Sequence, residues 1–174
     1  MQTSSAKLSV LVGKNFACVK IAGRANFTSS PDFKTLLAEL AQKGFGHFII
    51  DLSECVLMDS TFLGVLSGFG LKLNPSGSPD KSGVELLNPN ARVHELLENL
   101  GAIHLFKIIS DDLKLTDDVK TCTPESINPS REEITRTSLE AHQTLMAVSP
   151  ENYARFKDVA QFLAEDLKNL EKSS

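Results

Sequence analysis

No basic excess marks this chain. Its 174 residues hold 18 Lys and Arg against 22 Asp and Glu, a net charge of −4, so the positive footprint of a nucleic-acid surface is missing. No stretch approaches the roughly 20 apolar residues of a membrane span. The opening MQTSSAKLSV lacks the basic-then-apolar layout of a secretory signal. A cytoplasmic protein that binds neither nucleic acid nor membrane is the expectation. Cysteine is scarce: Cys18, Cys55 and Cys122 are odd in number, far apart and without CxxC spacing, which predicts reduced thiols rather than disulfides or a zinc site.

Catalytic signatures are missing as well. The chain has no GxSxG elbow, no GxxxxGKS/T loop and no HExxH pair, and Gly68-Phe69-Gly70 lacks the third glycine and leading strand of a dinucleotide site. His47, His94, His104 and His142 are scattered without metal-ligand spacing. Asp51 and Asp59 are the one carboxylate pair worth weighing as acid and base, and a strand end and a helix cap account for them. Neither an enzyme activity nor a cofactor or metal is expected.

What is present is an ordinary soluble composition, 41% hydrophobic and 23% charged, at a length that supports a real core. Lys7 to Val12, a turn at Gly13-Lys14-Asn15 and an apolar alternation from Phe16 to Ala22 predict a β-hairpin. Gly23 to Ser29 interrupts the pattern, then Ser30 as cap and Pro31 as first helical residue start a helix that buries Phe33, Leu36, Leu37 and Leu40. His47 to Leu52 reads as a buried strand, and Phe62, Val65, Leu66, Phe69 and Leu73 recur at helical spacing. A loop from Asn74 to Pro79 and a strand at Val84 to Leu87 follow. Asn88-Pro89-Asn90 opens a third helix with Val93, Leu96, Leu97 and Leu100 inward, and Ile103 to Ile109 is the last predicted strand. Alternating strands and helices imply an α/β fold, and the opening hairpin makes its sheet mixed.

The most informative stretch is Met58-Asp59-Ser60-Thr61-Phe62-Leu63-Gly64. With Asp59 as N-cap, Ser60 and Thr61 become the first two helical residues, beside unpaired N–H groups and the positive end of the helix dipole. A phosphate there is compatible with the fold and adds roughly −1.5 to −2 charges that a docking partner must meet. Ser60, Gly64, Ser67 and Gly68 form a stripe of small residues that lets another backbone approach, expected to pack on the sheet, with a groove for a partner as the alternative.

Thr116 to Asn128 reads as a linker, with Pro124 inside it, Pro129 just after it and little apolar content. Ser130-Arg131-Glu132-Glu133 is a capping-box pattern that opens a helix to about 147, and Ser149-Pro150-Glu151 opens another, with Tyr153, Phe156, Ala160, Leu163, Leu167 and Leu170 as its seam. Under three heptads is short for a free coiled coil. A hairpin docked on its own domain is the expectation, and a homodimer through these helices is the alternative. The boundaries are a domain over 5–116, a linker over 117–129 and a helical extension over 130–172.

Ile50-Asp51-Leu52-Ser53, the Met58-to-Gly64 stretch, Leu86-Leu87-Asn88-Pro89 and Leu96-Leu97-Glu98-Asn99-Leu100-Gly101, taken with the order of elements, resemble the STAS domain of bacterial anti-sigma factor antagonists. The resemblance implies a STAS-like mixed sheet with packed helices. It further implies binding to an anti-sigma factor or a related serine/threonine kinase, release on phosphorylation at Thr61 with Ser60 as its neighbour, and reversal by a phosphatase. Asp59, Ser60, Thr61, Phe62, Asn26 and Gly64 are the implied partner-binding residues. Phe62 stands where the family commonly has Gly, and Asn26 ends a Gly-Arg-Ala-Asn stretch where it often has Gly-Glu-Leu-Asp. A STAS scaffold that does not switch, or one that binds a small ligand, is the alternative function.

Overall fold

The computed structural model describes residues 6–76, 83–110 and 120–173. The loop expected through Pro79, the first residues of the expected linker and the boundaries at 5 and 116 lie outside them. The elements run β1 (Lys7–Val12), β2 (Ala17–Ala25), α1 (Ser30–Gln42), β3 (Phe48–Asp51), β4 (Cys55–Met58), α2 (Ser60–Leu73), β5 (Val84–Leu87), α3 (Ala91–Asn99), β6 (Lys107–Ile109), β7 (Lys120–Cys122), α4 (Arg131–Val148) and α5 (Glu151–Lys172).

The expected mixed α/β architecture is present. β1 and β2 form the antiparallel hairpin. β3, β5 and β6 extend it with parallel pairings, and β7 closes the other edge beside β1, giving the order β6-β5-β3-β2-β1-β7. The period of two in β2 and β3 sends Val19, Ile21 and Ile50 to the helix-covered face, and Cys18 and Ile49 to a smaller cluster with Leu11 and Leu87. Phe33 of α1 stacks on Phe62 of α2 with ring centroids 4.4 Å apart, and Phe48 meets Phe69 edge-on at 4.7 Å. Complete burial of such rings contributes roughly 1.5–3 kcal/mol each.

Four differences from the expectation have local causes. β2 does not stop at Ala22, because Gly23 at φ +92° makes a bulge and lets the strand resume beside β4, a short strand the spacing did not predict. The stretch Ile103 to Ile109 is not one strand. Ile103–Leu105 is a single 3-10 turn that seats Leu105 in the core, and only Lys107–Ile109 pairs with β5. Inside the expected linker, Lys120–Cys122 pairs with β1, and Asp32 then accepts the Ser126 hydroxyl at 2.7 Å and the Ile127 N–H at 2.9 Å. Ser29, not Ser30, is the cap position of α1.

The C-terminal helices do form a hairpin, and α4 lies along α2. Ser130 caps α4 by accepting the Glu133 N–H at 3.1 Å. On α5, Phe156 and Ala160 are buried, whereas Tyr153, expected in the seam, is 62% exposed. Among the described residues no helix is long and apolar enough to cross a membrane.

Candidate functional site at the start of the second helix

The α2 start is built by Asp59. Its backbone is extended, which leaves the carboxylate free to turn back on the helix, and Oδ1 accepts the Phe62 N–H at 2.8 Å. Oδ2 accepts the Phe27 N–H at 2.6 Å, and the Asp59 N–H donates to the Ala25 carbonyl at 2.9 Å. One residue therefore caps α2 and ties the β4–α2 junction to the loop between β2 and α1. Burial pushes the Asp59 carboxyl above its ordinary value, against the pull of the Phe62 and Phe27 N–H groups and of nearby His142.

Asn26 spends its acceptor inside that loop, where Oδ1 takes the Thr28 N–H at 3.1 Å and the Thr28 hydroxyl at 2.6 Å. Beside the capped helix start stand two exposed apolar side chains, Phe27 at 49% and Val56 at 52%. Both belong to the segments that frame Asp59.

Three of the implied partner-binding residues are buried. Thr61 is 5% exposed and Phe62 is fully buried. Phe62 points into the core because it stacks on Phe33, three helical positions from Val65 and four from Leu66. Gly64 is buried under α4: a Cβ built on it would lie 2.5 Å from the Ala141 carbonyl oxygen. Thr61, Gly64 and Gly68 sit at i, i+3 and i+7, so they share the face turned to α4. The small stripe expected to pack on the sheet packs on the C-terminal hairpin instead.

Ser60 is half-buried, and its Oγ lies 2.9 Å from His142 Nε2. The other ring nitrogen of His142, Nδ1, lies 2.7 Å from the Ser138 carbonyl, and the ring meets Phe156 at 5.0 Å. Asp59, Ser60, Thr61 and Gly64 thus come together, while Asn26 reaches them only through its loop. The contribution of α4 was missed by sequence reasoning. Its signal was Thr137, Ser138 and Ala141, small residues at helical spacing that mirror the stripe on α2.

Next to this contact a cleft of about 420 Å³ opens between α1, α2 and α4, lined by Leu37, Val65, Gly68, Phe69 and Lys72 and bridged by the Lys34–Glu140 ion pair. Its apolar lining and size fall in the range of small-molecule pockets.

Residues 7–119 match the family described as STAS domain. The match ends before α4 and α5. Among solved structures, the chain is similar to a candidate anti-sigma factor antagonist of Thermotoga maritima, with a TM-score of 0.51 and 22% identity over 60% of this chain and 86% of that one. It is also similar to an anti-sigma factor antagonist of Mycobacterium paratuberculosis, with a TM-score of 0.51 and 16% identity over 59% of this chain and 84% of that one. At these identities the likeness is one of fold. A search of curated proteins gives no match.

Proposed function

The chain belongs to the STAS domain family, and from that premise we propose that it is a signalling protein of the anti-sigma factor antagonist type, which binds an anti-sigma factor or related serine/threonine kinase around the start of α2. In this reading phosphorylation at Thr61, with Ser60 as the neighbouring acceptor, ends the binding, and a phosphatase restores it. The observation that carries it is the capped helix start itself: Asp59 joins two loops, two hydroxyls follow it in the first turn, and the exposed Phe27 and Val56 offer apolar contact beside them. A new phosphate there would put charge into the contact and weaken any partner that desolvates it. Because Thr61 is buried, a kinase reaches it only after α4 has moved.

The test is recovery of partners from the native host with tagged full-length protein. Thr61→Glu replaces a buried residue and so displaces α4 as well as adding charge. Ala141→Leu displaces α4 without charge and separates the two effects. Retention of an ATP-binding kinase-like partner by the wild type and by Ala141→Leu, with its loss from Thr61→Glu, supports the reading. Equal recovery with all three leaves a scaffold that does not switch. The cleft of about 420 Å³ favours one form of that second reading, a STAS module that holds a small apolar ligand.

A further inference from the structure

α4 meets the body of the protein with an unusual face for a core helix. Its buried residues are Thr135, Thr137, Ser138, Ala141, His142 and Leu145, of which one is a large apolar side chain. α1, by contrast, buries Phe33, Leu36, Leu37 and Leu40. α5 adds a buried Asn152, which donates to the Leu100 and Leu145 carbonyls, both at 2.8 Å. Leu145 and Phe156 join the main core, with Met146 and Val148 packed against it, and the rest of the contact is made of small and hydrogen-bonded polar groups, as interfaces between separable units are. The partner face on α2 is made the same way. Gly64 lets a second backbone approach, Gly68 has the Thr144 side chain opposite it at 3.7 Å, Ser60 supplies a hydroxyl, and Ser67, of the same stripe, keeps a buried Oγ with no hydrogen-bond partner among the described residues.

We propose that this stripe of α2 is a helix-docking site, and that α4 occupies it intramolecularly as an autoinhibitory helix which a partner helix must displace. The seated α4 shows what the site accepts. The incoming helix carries Ala, Gly or Ser where Ala141 crosses Gly64, since a Cβ on the α2 side already has no room there. The next residue carries a hydrogen-bonding group for Ser60, as His142 does. Displacement uncovers Thr61, so docking of the partner and access of a kinase are linked. The inference rests on the proposed function only in taking that helix to belong to an anti-sigma factor. The docking site itself does not depend on it.

Hydrogen exchange on the full chain tests the separability. Ala141 and Leu145 of α4 and Phe156 and Ala160 of α5 are expected to exchange at least about 100-fold faster than Val19, Ile50 and Leu86 of the sheet, as an element that opens sub-globally does. Ala141→Leu, and the milder His142→Ala, are expected to speed the hairpin amides by at least a further tenfold and leave those of the sheet unchanged. A labelled peptide of residues 130–149 then probes the uncovered stripe. It is expected to bind either released variant at least tenfold more tightly than the wild type, and to lose that binding when Gly64→Leu is added. Hairpin and sheet exchanging together would overturn the proposal by making α4 part of one cooperative core. Released variants that ignore the peptide would overturn it too, and so would a wild-type dimer with exchanged hairpins. Each of these results is read without phosphate or anti-sigma factor, so failure of the functional reading leaves them standing.

Discussion

The Ser60 hydroxyl is hydrogen-bonded to His142, Oγ lying 2.9 Å from Nε2. Nδ1 of the ring faces the Ser138 carbonyl at 2.7 Å, and a carbonyl only accepts, so Nδ1 carries the hydrogen. In the neutral ring Nε2 is then an acceptor, and Ser60 Oγ at 2.9 Å is its donor. This single bond joins the first turn of the family's helix to an element that the family match leaves out.

Replacing His142 therefore separates packing from hydrogen bonding. His142→Leu keeps bulk against Phe156 but removes both ring nitrogens, and Ser60, being half-buried, turns to water. The expected loss is about 1 kcal/mol, the net worth of an ordinary hydrogen bond. His142→Ala also leaves a void, and the expected loss rises to about 2–3 kcal/mol. Urea unfolding of the three proteins reads both values. Equal stability of all three would show that α4 is not held through this residue.

Two glycines one turn apart are expected to respond oppositely to alanine. At Gly64 a Cβ would sit 2.5 Å from a backbone oxygen of α4, which cannot swing aside. The expected cost of Gly64→Ala is about 1–3 kcal/mol. At Gly68 the nearest atoms belong to the Thr144 side chain at 3.7 Å, an ordinary contact. Gly68→Ala is expected to stabilise by up to about 1 kcal/mol through the better helix propensity of alanine. Thermal melts of the pair check the sign, and a loss at both positions would mean that α4 lies nearer Gly68 than described.

The strands and helices that bury large apolar residues were legible because their periodicity is strong. Phe33, Leu36, Leu37 and Leu40 announce α1, and Asp59 and Asn90 announce their helices through cap chemistry, each accepting a first-turn N–H. β4 and β7 were not legible. Each is a short strand whose pairing is set by distant residues, β4 by the bulge at Gly23 and β7 by the free edge of β1. The site divides the same way. Local chemistry gave the Asp59 cap and placed Ser60 and Thr61 in the first turn. Ser60 meets His142 and Gly64 meets Ala141, some eighty residues on, and no local pattern in the Asp59 stretch contains those contacts. Gly64 did signal a close backbone approach, but sequence spacing does not say which backbone.

Asn152 is expected to be the strongest polar anchor of the hairpin. Its amide donates to the last turn of α3's segment at Leu100 and to α4 at Leu145, both bonds being 2.8 Å and buried. Asn152→Ala withdraws both donors, and the Leu100 carbonyl is left in a site with little access to water. A loss of about 2 kcal/mol is expected. Hydrogen exchange should locate it in α4 and α5. A uniform loss across the sheet would mean that Asn152 supports the whole core instead.

The thiols give a pH-dependent prediction. Burial pushes Cys18 and Cys55 up to about 11, while Cys122 is exposed. At pH 8 a thiol reagent is expected to modify Cys122 alone in the native protein and all three cysteines in denaturant. Between the unfolded value of 9.0 and about 11 the unfolded chain releases protons that the folded chain still holds. Stability is therefore fully present below pH 9 and falls as pH rises through that window, by at most about 1.4 kcal/mol per pH unit for each thiol. Lysines titrate in the same range, so the comparison is with Cys18→Ala and Cys55→Ala, each of which should flatten the decline. An unchanged slope in both variants would show that these sulfurs are reached by solvent, and with it that the sheet is less closely covered than the packing of Cys18 against Leu11 and Leu87 indicates.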